Sequence, residues 1–181
     1  CKPTAAPVPA PGGGIAGGTP TVAAVAIPAD DVKAVAALKA KNVKMDVSGS
    51  GHVILADFRK TETSDEDVAL LKGLPLVSRV IVEGPNFGDV AMAHLAEVPS
   101  FQILDAASSA ITDEGLKSLS SVANLRVLGV RRTNVTDAGL AHLAGAKNLV
   151  DIDLRFTNVT DAGIKPLAEI KSLRVVKLQE C

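Results

Sequence analysis

Residues 131–171 read RRTNVTDAGLAHLAGAKNLVDIDLRFTNVTDAGIKPLAEIK, and TNVTDAG occurs in them twice, at Thr133–Gly139 and at Thr157–Gly163. The copies are 24 residues apart. A spacing of this size points to a stack of like structural units. Blocks of 24 residues stepped back from Asn124 begin at His52, Leu76, Ser100, Asn124 and Asn148, with a partial sixth at Ser172. Place five of the blocks holds Ala56, Val80, Leu104, Leu128, Ile152 and Val176, and place seven holds Phe58, Val82, Ala106, Val130, Leu154 and Leu178. Place fourteen is Asp65, Asp89, Asp113, Asp137 and Asp161, and place twenty is Leu71, Leu95, Leu119, Leu143 and Leu167.

Each block has the pattern of a short strand, a bend and a short helix. One block alone cannot bury its apolar face, whereas stacked blocks bury a continuous core. Strand places two, five and seven are expected to point inward, and their neighbours to face solvent. Thr136 and Thr160 are placed to cap the helices that follow, with Asp137 and Asp161 at the positive helix ends. Gly139 and Gly163 are expected to allow close approach of helix to sheet.

Leu125-x-x-Leu128-x-Val130-x-x-Thr133-x-Val135-Thr-Asp-x-Gly139-Leu140-x-x-Leu143 resembles a leucine-rich repeat, of the bacterial kind that carries TDAGL. The resemblance covers residues 52–181. It implies an α/β fold: a right-handed leucine-rich-repeat solenoid with a parallel sheet on its concave face and helices on its convex face. It also implies binding or scaffolding more often than catalysis. One departure is visible: Thr61, Pro85, Ser109, Thr133 and Thr157 stand where many members place Asn or Cys, so the usual buried Asn ladder is absent.

Two other segments precede the repeats. Residues 1–29 hold six of the ten prolines, five glycines and one charge, Lys2, which is the composition of a tail or linker. Fully extended, it would reach roughly 90 Å. Thr21–Ile27 is more apolar than a spacer needs and could pair as a strand. Residues 30–51 read as an N-terminal cap. Asp30 is expected to cap a helix with Val32, Val35 and Leu38 on one side. Val43, Met45 and Val47 then alternate with charges, Ser48–Gly51 makes a turn, and a strand from Val53 to Phe58 completes a hairpin.

Composition narrows the function. The chain is 47% hydrophobic but only 2% aromatic, without Trp or Tyr, which counts against stacked-ring surfaces for nucleic acids or sugars. Its formal net charge of −1 lacks the basic footprint of a DNA or RNA binder. No run of 18 apolar residues exists to span a membrane as a helix. The two cysteines, Cys1 and Cys181, lie at opposite ends and make no metal or redox pair in sequence.

Candidate chemistry is sparse. His94 and His142 both occupy place nineteen, but two blocks apart they would sit about 10 Å from each other, too far to share zinc. They are expected to be exposed helix residues. His52 has no cysteine or carboxylate at ligand spacing. Helix N-termini explain the aspartate column without calcium. No hydrolase, zinc-protease or phosphate-loop motif is present, so no enzyme activity, metal or cofactor is expected.

Two surfaces remain. The concave sheet should display Arg79, Ile81, Ile103, Asp105, Val127, Arg131, Asp153 and Arg155, with Asp153 in reach of both Arg131 and Arg155. A carboxylate or anionic peptide could dock there, while plain cross-strand charge pairing is the alternative. The last block stops at a strand, where Leu167, Ile170, Leu173, Val176 and Leu178 would line an uncapped end. A second copy stacked head to tail, or Val22, Val25 and Ile27 of a neighbour, could cover it.

Cys1 followed by Lys2 and a Pro/Gly tail resembles a mature bacterial lipoprotein, in which acyl chains on Cys1 would anchor the protein. Cys181 is the other thiol open to a disulfide. The sequence therefore points first to a structural protein of the cell envelope or extracellular space that self-associates. The alternative is a lipid-anchored module that binds another protein through the concave sheet.

Overall fold

The computed structural model describes residues 27–180. Its elements follow in the order α1 (Val32–Ala40), β1 (Lys44–Val47), β2 (Val53–Asp57), α2 (Asp65–Val68), β3 (Arg79–Glu83), α3 (Asp89–Ala96), β4 (Ile103–Ala107), α4 (Asp113–Leu119), β5 (Val127–Gly129), α5 (Asp137–His142), β6 (Asp151–Asp153), α6 (Asp161–Leu167) and β7 (Val175–Lys177). The strands form one sheet in chain order, with β1 antiparallel to β2 and every later pair parallel. This is the leucine-rich-repeat solenoid. Strands stack about 4.8 Å apart, while helix axes need about 8–10 Å, so the array bends with the sheet on its inner face.

Burial follows the 24-residue places. Place five is fully buried from Ala56 to Ile152, and place seven is buried from Phe58 to Leu154. One apolar cluster runs from Leu38 in α1 to Ile170 behind α6. Phe58 and Phe87 meet edge to face, with ring centroids 5.9 Å apart.

The bend at TNVTDAG has a division of labour. At place ten, the hydroxyls of Thr61, Ser109, Thr133 and Thr157 donate to the carbonyls of Phe58, Ala106, Val130 and Leu154 in the same coil, at 2.6–2.8 Å. A hydroxyl thus replaces the expected Asn by satisfying a buried carbonyl locally. Place nine just before it is left-handed in six successive coils, at Lys60, Gly84, Ser108, Arg132, Phe156 and Glu180, with φ between 54° and 102°. Only Gly84 adopts this backbone without steric penalty.

The links between coils come from place fourteen. Asp89 accepts from the Thr112 amide at 2.8 Å and the Thr112 hydroxyl at 2.6 Å. Asp113 does the same for Thr136, at 2.8 and 2.7 Å, and Asp137 for Thr160, at 2.7 and 2.6 Å. Asp65 accepts from the amide of Gly88, which has no hydroxyl to offer. The threonines also cap their own helices, Thr112 through Glu114, Thr136 through Ala138 and Thr160 through Ala162. The aspartates therefore do more than favour a helix dipole: they tie each helix start to the next.

Place sixteen gives way to this rung. A Cβ on Gly115 would lie 2.5 Å from Asp89 Oδ1, and one on Gly139 or Gly163 would come closer still to Asp113 or Asp137. The close approach expected between helix and sheet at Gly139 and Gly163 is instead an approach to the preceding aspartate.

The N-terminal cap departs from expectation in detail. The helix cap is Asp31, which accepts from the Lys33 amide at 2.8 Å. Asp30 turns to the hairpin, meeting His52 Nδ1 at 3.1 Å and the Val53 amide at 2.7 Å. Val32 is 79% exposed, so Ala34 and Leu38 carry the buried face of α1.

Gly139→Ala is expected to destabilise the fold by about 1–3 kcal/mol, as overpacking does. Gly145→Ala, where a Cβ meets nothing within 4 Å, should leave stability unchanged or raise it. Urea unfolding of the two variants reads the difference.

Candidate functional site

Parallel pairing keeps identical places side by side on the concave face. Place four forms the row Leu55, Arg79, Ile103, Val127, Asp151 and Val175, and place six the row Asp57, Ile81, Asp105, Gly129, Asp153 and Lys177. The alternate residues Ala56, Val80, Leu104, Leu128 and Ile152 are fully buried, so the strand pleat delivers the displayed set outward.

Much of the charge on this face is paired within the protein. Asp153 holds Arg155 through two hydrogen bonds, to Nε at 2.9 Å and Nη2 at 2.6 Å. Asp57 holds Arg59 in the same fork, at 3.0 and 2.8 Å. Lys177 Nζ donates to both Asp151 oxygens at 3.1 Å. The Arg155 fork holds the Asp153 carboxyl below the ordinary aspartate range, and the Arg59 fork does so for Asp57, with burial opposing both.

Arg131 stands apart from this pairing, as do Arg79 and Asp105. Asp153, expected to reach both arginines, spends its fork on Arg155. Among the described residues the Arg131 side chain has no hydrogen bond or ion pair. Its backbone is fixed, since its carbonyl accepts from the Ser108 amide at 2.9 Å. Arg131 borders a cleft of about 310 Å³ lined also by Arg79, Ile103, Asp105, Val127, Gly129, Asp151, Asp153, Arg155 and Lys177. Seven of the eight concave candidates therefore meet in one cleft. The eighth, Ile81, does not: it is only 7% exposed, in register between Asp57 and Asp105 on the sheet face.

The sequence places Gly129, Asp151 and Lys177 on the concave sheet but singles out none of them as a binding residue, and all three line the cleft. The signal for Gly129 was its standing in place six, where each other coil carries a side chain. The signal for the forks was Asp-x-Arg at the same places of the first and fifth blocks.

At the C-terminal edge, the expected set divides. Leu167 and Ile170 are buried at 1% and 5%, and Leu173 is half-buried, while Val176 and Leu178 are 38% and 47% exposed. Ile27 is exposed and lies in no strand. Val22, Val25, Cys1 and Cys181 lie outside the described residues.

The histidines need correcting. His142 is exposed as expected, but His94 is half-buried, and its Nε2 has no hydrogen-bond partner, with Glu66 3.9 Å away. His52, for which no carboxylate was foreseen, meets Asp30. Among the described residues no group of three or more His, Cys, Asp or Glu is placed to hold a metal ion. No helix among them is long and apolar enough to cross a membrane.

Comparison with known proteins agrees with the fold. Residues 145–168 match the family model described as leucine-rich repeat. A crystal structure of internalin C2 from Listeria monocytogenes is similar at 24% identity and a TM-score of 0.56, over 68% of this chain and 50% of that one. This chain thus spans about half the length of that structure. A structure of PEPR1 with AtPEP1 aligns at 14% identity and a TM-score of 0.45, over 74% of this chain and 23% of that one. No curated protein matches the sequence.

The forks make a prediction about pH. Asp57 and Asp153 have folded pKa values below their ordinary 3.8. Their contribution is complete above that value and is lost as pH falls through the lower folded values. In Arg59→Gln/Arg155→Gln the loss of stability between neutral pH and pH 2 should be smaller than in the parent. Urea midpoints across that range measure it.

Proposed function

We propose that this chain is a protein-binding module that grips its partner with the concave sheet. The observation that carries the reading is Arg131: a guanidinium without a partner among the described residues, at the edge of a cleft where Arg155 and Lys177 are already neutralised and Arg79 is likewise unpaired. The cleft floor adds half-buried Ile103 and Val127, so apolar contact and a directional charge sit together, as at the centre of interfaces. No catalytic role is assigned to the site.

Placement outside the cytoplasm, with a lipid on Cys1, belongs to the same proposal. Its support is a cysteine, Cys1, followed by a Pro/Gly-rich stretch, since two or three acyl chains anchor stably and a flexible tail sets the stand-off. Mass spectrometry of native residue 1 distinguishes lipid, disulfide and free thiol.

A second reading is self-association into a filament or tube, and exposed apolar side chains at β7 and at α1 and β1 favour it. Among the described residues, Val175 and Val176 of β7 and Leu178 just after it are exposed. In α1 and β1, Val32 and Val47 are exposed along a groove shared with Val35, Met45 and Val53. Because α1 and β1 already cover the first coil, a head-to-tail contact would set β7 against the edge of β1 that no described strand occupies. A contact of that kind propagates unless its rotation closes a ring.

With the partner in hand, Ile103→Asp and Arg131→Glu should each weaken binding at least about tenfold, equivalent to 1.4 kcal/mol; unchanged affinity in both would overturn the concave reading. For self-association, light scattering of the native chain should show mass rising with concentration and Val176→Asp/Leu178→Asp should abolish the rise. A monomer at every concentration would eliminate it.

A further inference from the structure

The concave cleft has a notch in its floor that the backbone does not require. Gly129 is the one residue of the place-six row without a side chain, its neighbours in register being Asp105 and Asp153. Its φ is not among the left-handed ones. A Cβ there would lie 3.5 Å from the nearest atoms, Asp105 Oδ1 and the Leu104 carbonyl, which is ordinary contact. The fold would therefore accept a larger residue at 129. Contrast Gly115, Gly139 and Gly163, each of which makes room for an aspartate of its own protein. The absent side chain at 129 leaves a step in the sheet surface beside Asp105, and no contact tighter than 3.5 Å requires it.

The groups around the notch have complementary vacancies. Two residues along the chain, Arg131 offers guanidinium donors that no described residue takes up. On the adjoining strand, the Asp105 side chain faces the notch and makes no hydrogen bond or ion pair among the described residues. Arg155 is occupied by Asp153 and cannot neutralise its neighbour. The cleft sets four cations, Arg79, Arg131, Arg155 and Lys177, against three carboxylates, Asp105, Asp151 and Asp153, and this excess of positive charge favours a carboxylate from outside.

We propose that Gly129 and Arg131 make this cleft a reader of acidic protein segments: an extended strand of the partner crosses the sheet over Gly129, and one of its Asp or Glu side chains forks onto Arg131. The strand's backbone N–H groups are the donors that Asp105 accepts. Extended backbone suits the notch, because only close approach of main chain to main chain uses a missing Cβ. Gly129 sets how near the ligand lies, and Arg131 sets which side chain it must carry. This inference rests on the concave reading above and adds its ligand class.

A random twelve-residue peptide library displayed on phage and selected on the immobilised full chain tests it. Selected peptides should carry Asp or Glu at one fixed position. A synthetic peptide from the selection should bind about tenfold more weakly when that residue is changed to Gln or Asn. Arg131→Gln should remove that difference, and Gly129→Val should weaken every selected peptide while leaving the urea midpoint in place. Ile103→Asp separates the two levels of the claim. Peptides that are lost with Ile103→Asp but show no acidic position and no response to Arg131→Gln overturn the carboxylate inference and leave the concave reading standing. Peptides indifferent to Ile103→Asp and Gly129→Val, or a selection that yields no binder, overturn the inference and the reading together. A preference for the peptide's C-terminal carboxylate over an acidic side chain also overturns the inference as stated.

Discussion

Everything in this solenoid depends on a carboxylate reaching across one coil. An aspartate at the start of each helix from α3 to α5 accepts both the amide and the hydroxyl of a threonine 23 residues later. That threonine caps its own helix and precedes the next aspartate. The rung is charge-assisted, and it satisfies amides that a helix start leaves unpaired. Its geometry leaves no space for a side chain at place sixteen, so glycine follows at 115, 139 and 163. Three of the seven residues in TNVTDAG thus answer to one contact, and a fourth, the place-ten threonine, closes the carbonyl at the bend.

The rung fixes the register of the coils, and register fixes the surface. Because neighbouring coils match residue for residue, places four and six line up into rows across the sheet. Side chains on those rows are free of packing duty wherever the pleat turns them outward. The chain uses that freedom unevenly. Asp-x-Arg forks at the first and fifth coils neutralise their own charge. Between them the row thins to Gly129, and Arg131 is unpaired among the described residues.

The sequence made the architecture readable because each coil meets the same requirements, so five blocks repeat one experiment. Places five, seven and twenty needed only apolarity and period. What escaped was any contact whose partner is distant in the chain. The aspartate column has a sufficient local explanation in the helix dipole, and its true partner lies a full coil away. The glycines were assigned to the wrong neighbour for the same reason. Asp30 and Asp31 are adjacent, and composition alone does not tell which will cap α1 and which will clasp His52. In the site, alternation placed Ile81 outward with its row, but flanking aspartates in register leave it little exposure. Arg131 was legible as a candidate; that Asp153 would choose Arg155 over it required coordinates.

TNVTDAG repeats because one coil's aspartate binds the next coil's threonine. A double-mutant cycle on Asp113 and Thr136, with each changed to Ala singly and together, measures that bond most directly. The account predicts strong non-additivity, with a coupling of about 1–3 kcal/mol for a hydrogen bond to a charged group. Additive losses, with a coupling near zero, would contradict it and return the aspartates to the helix dipole alone.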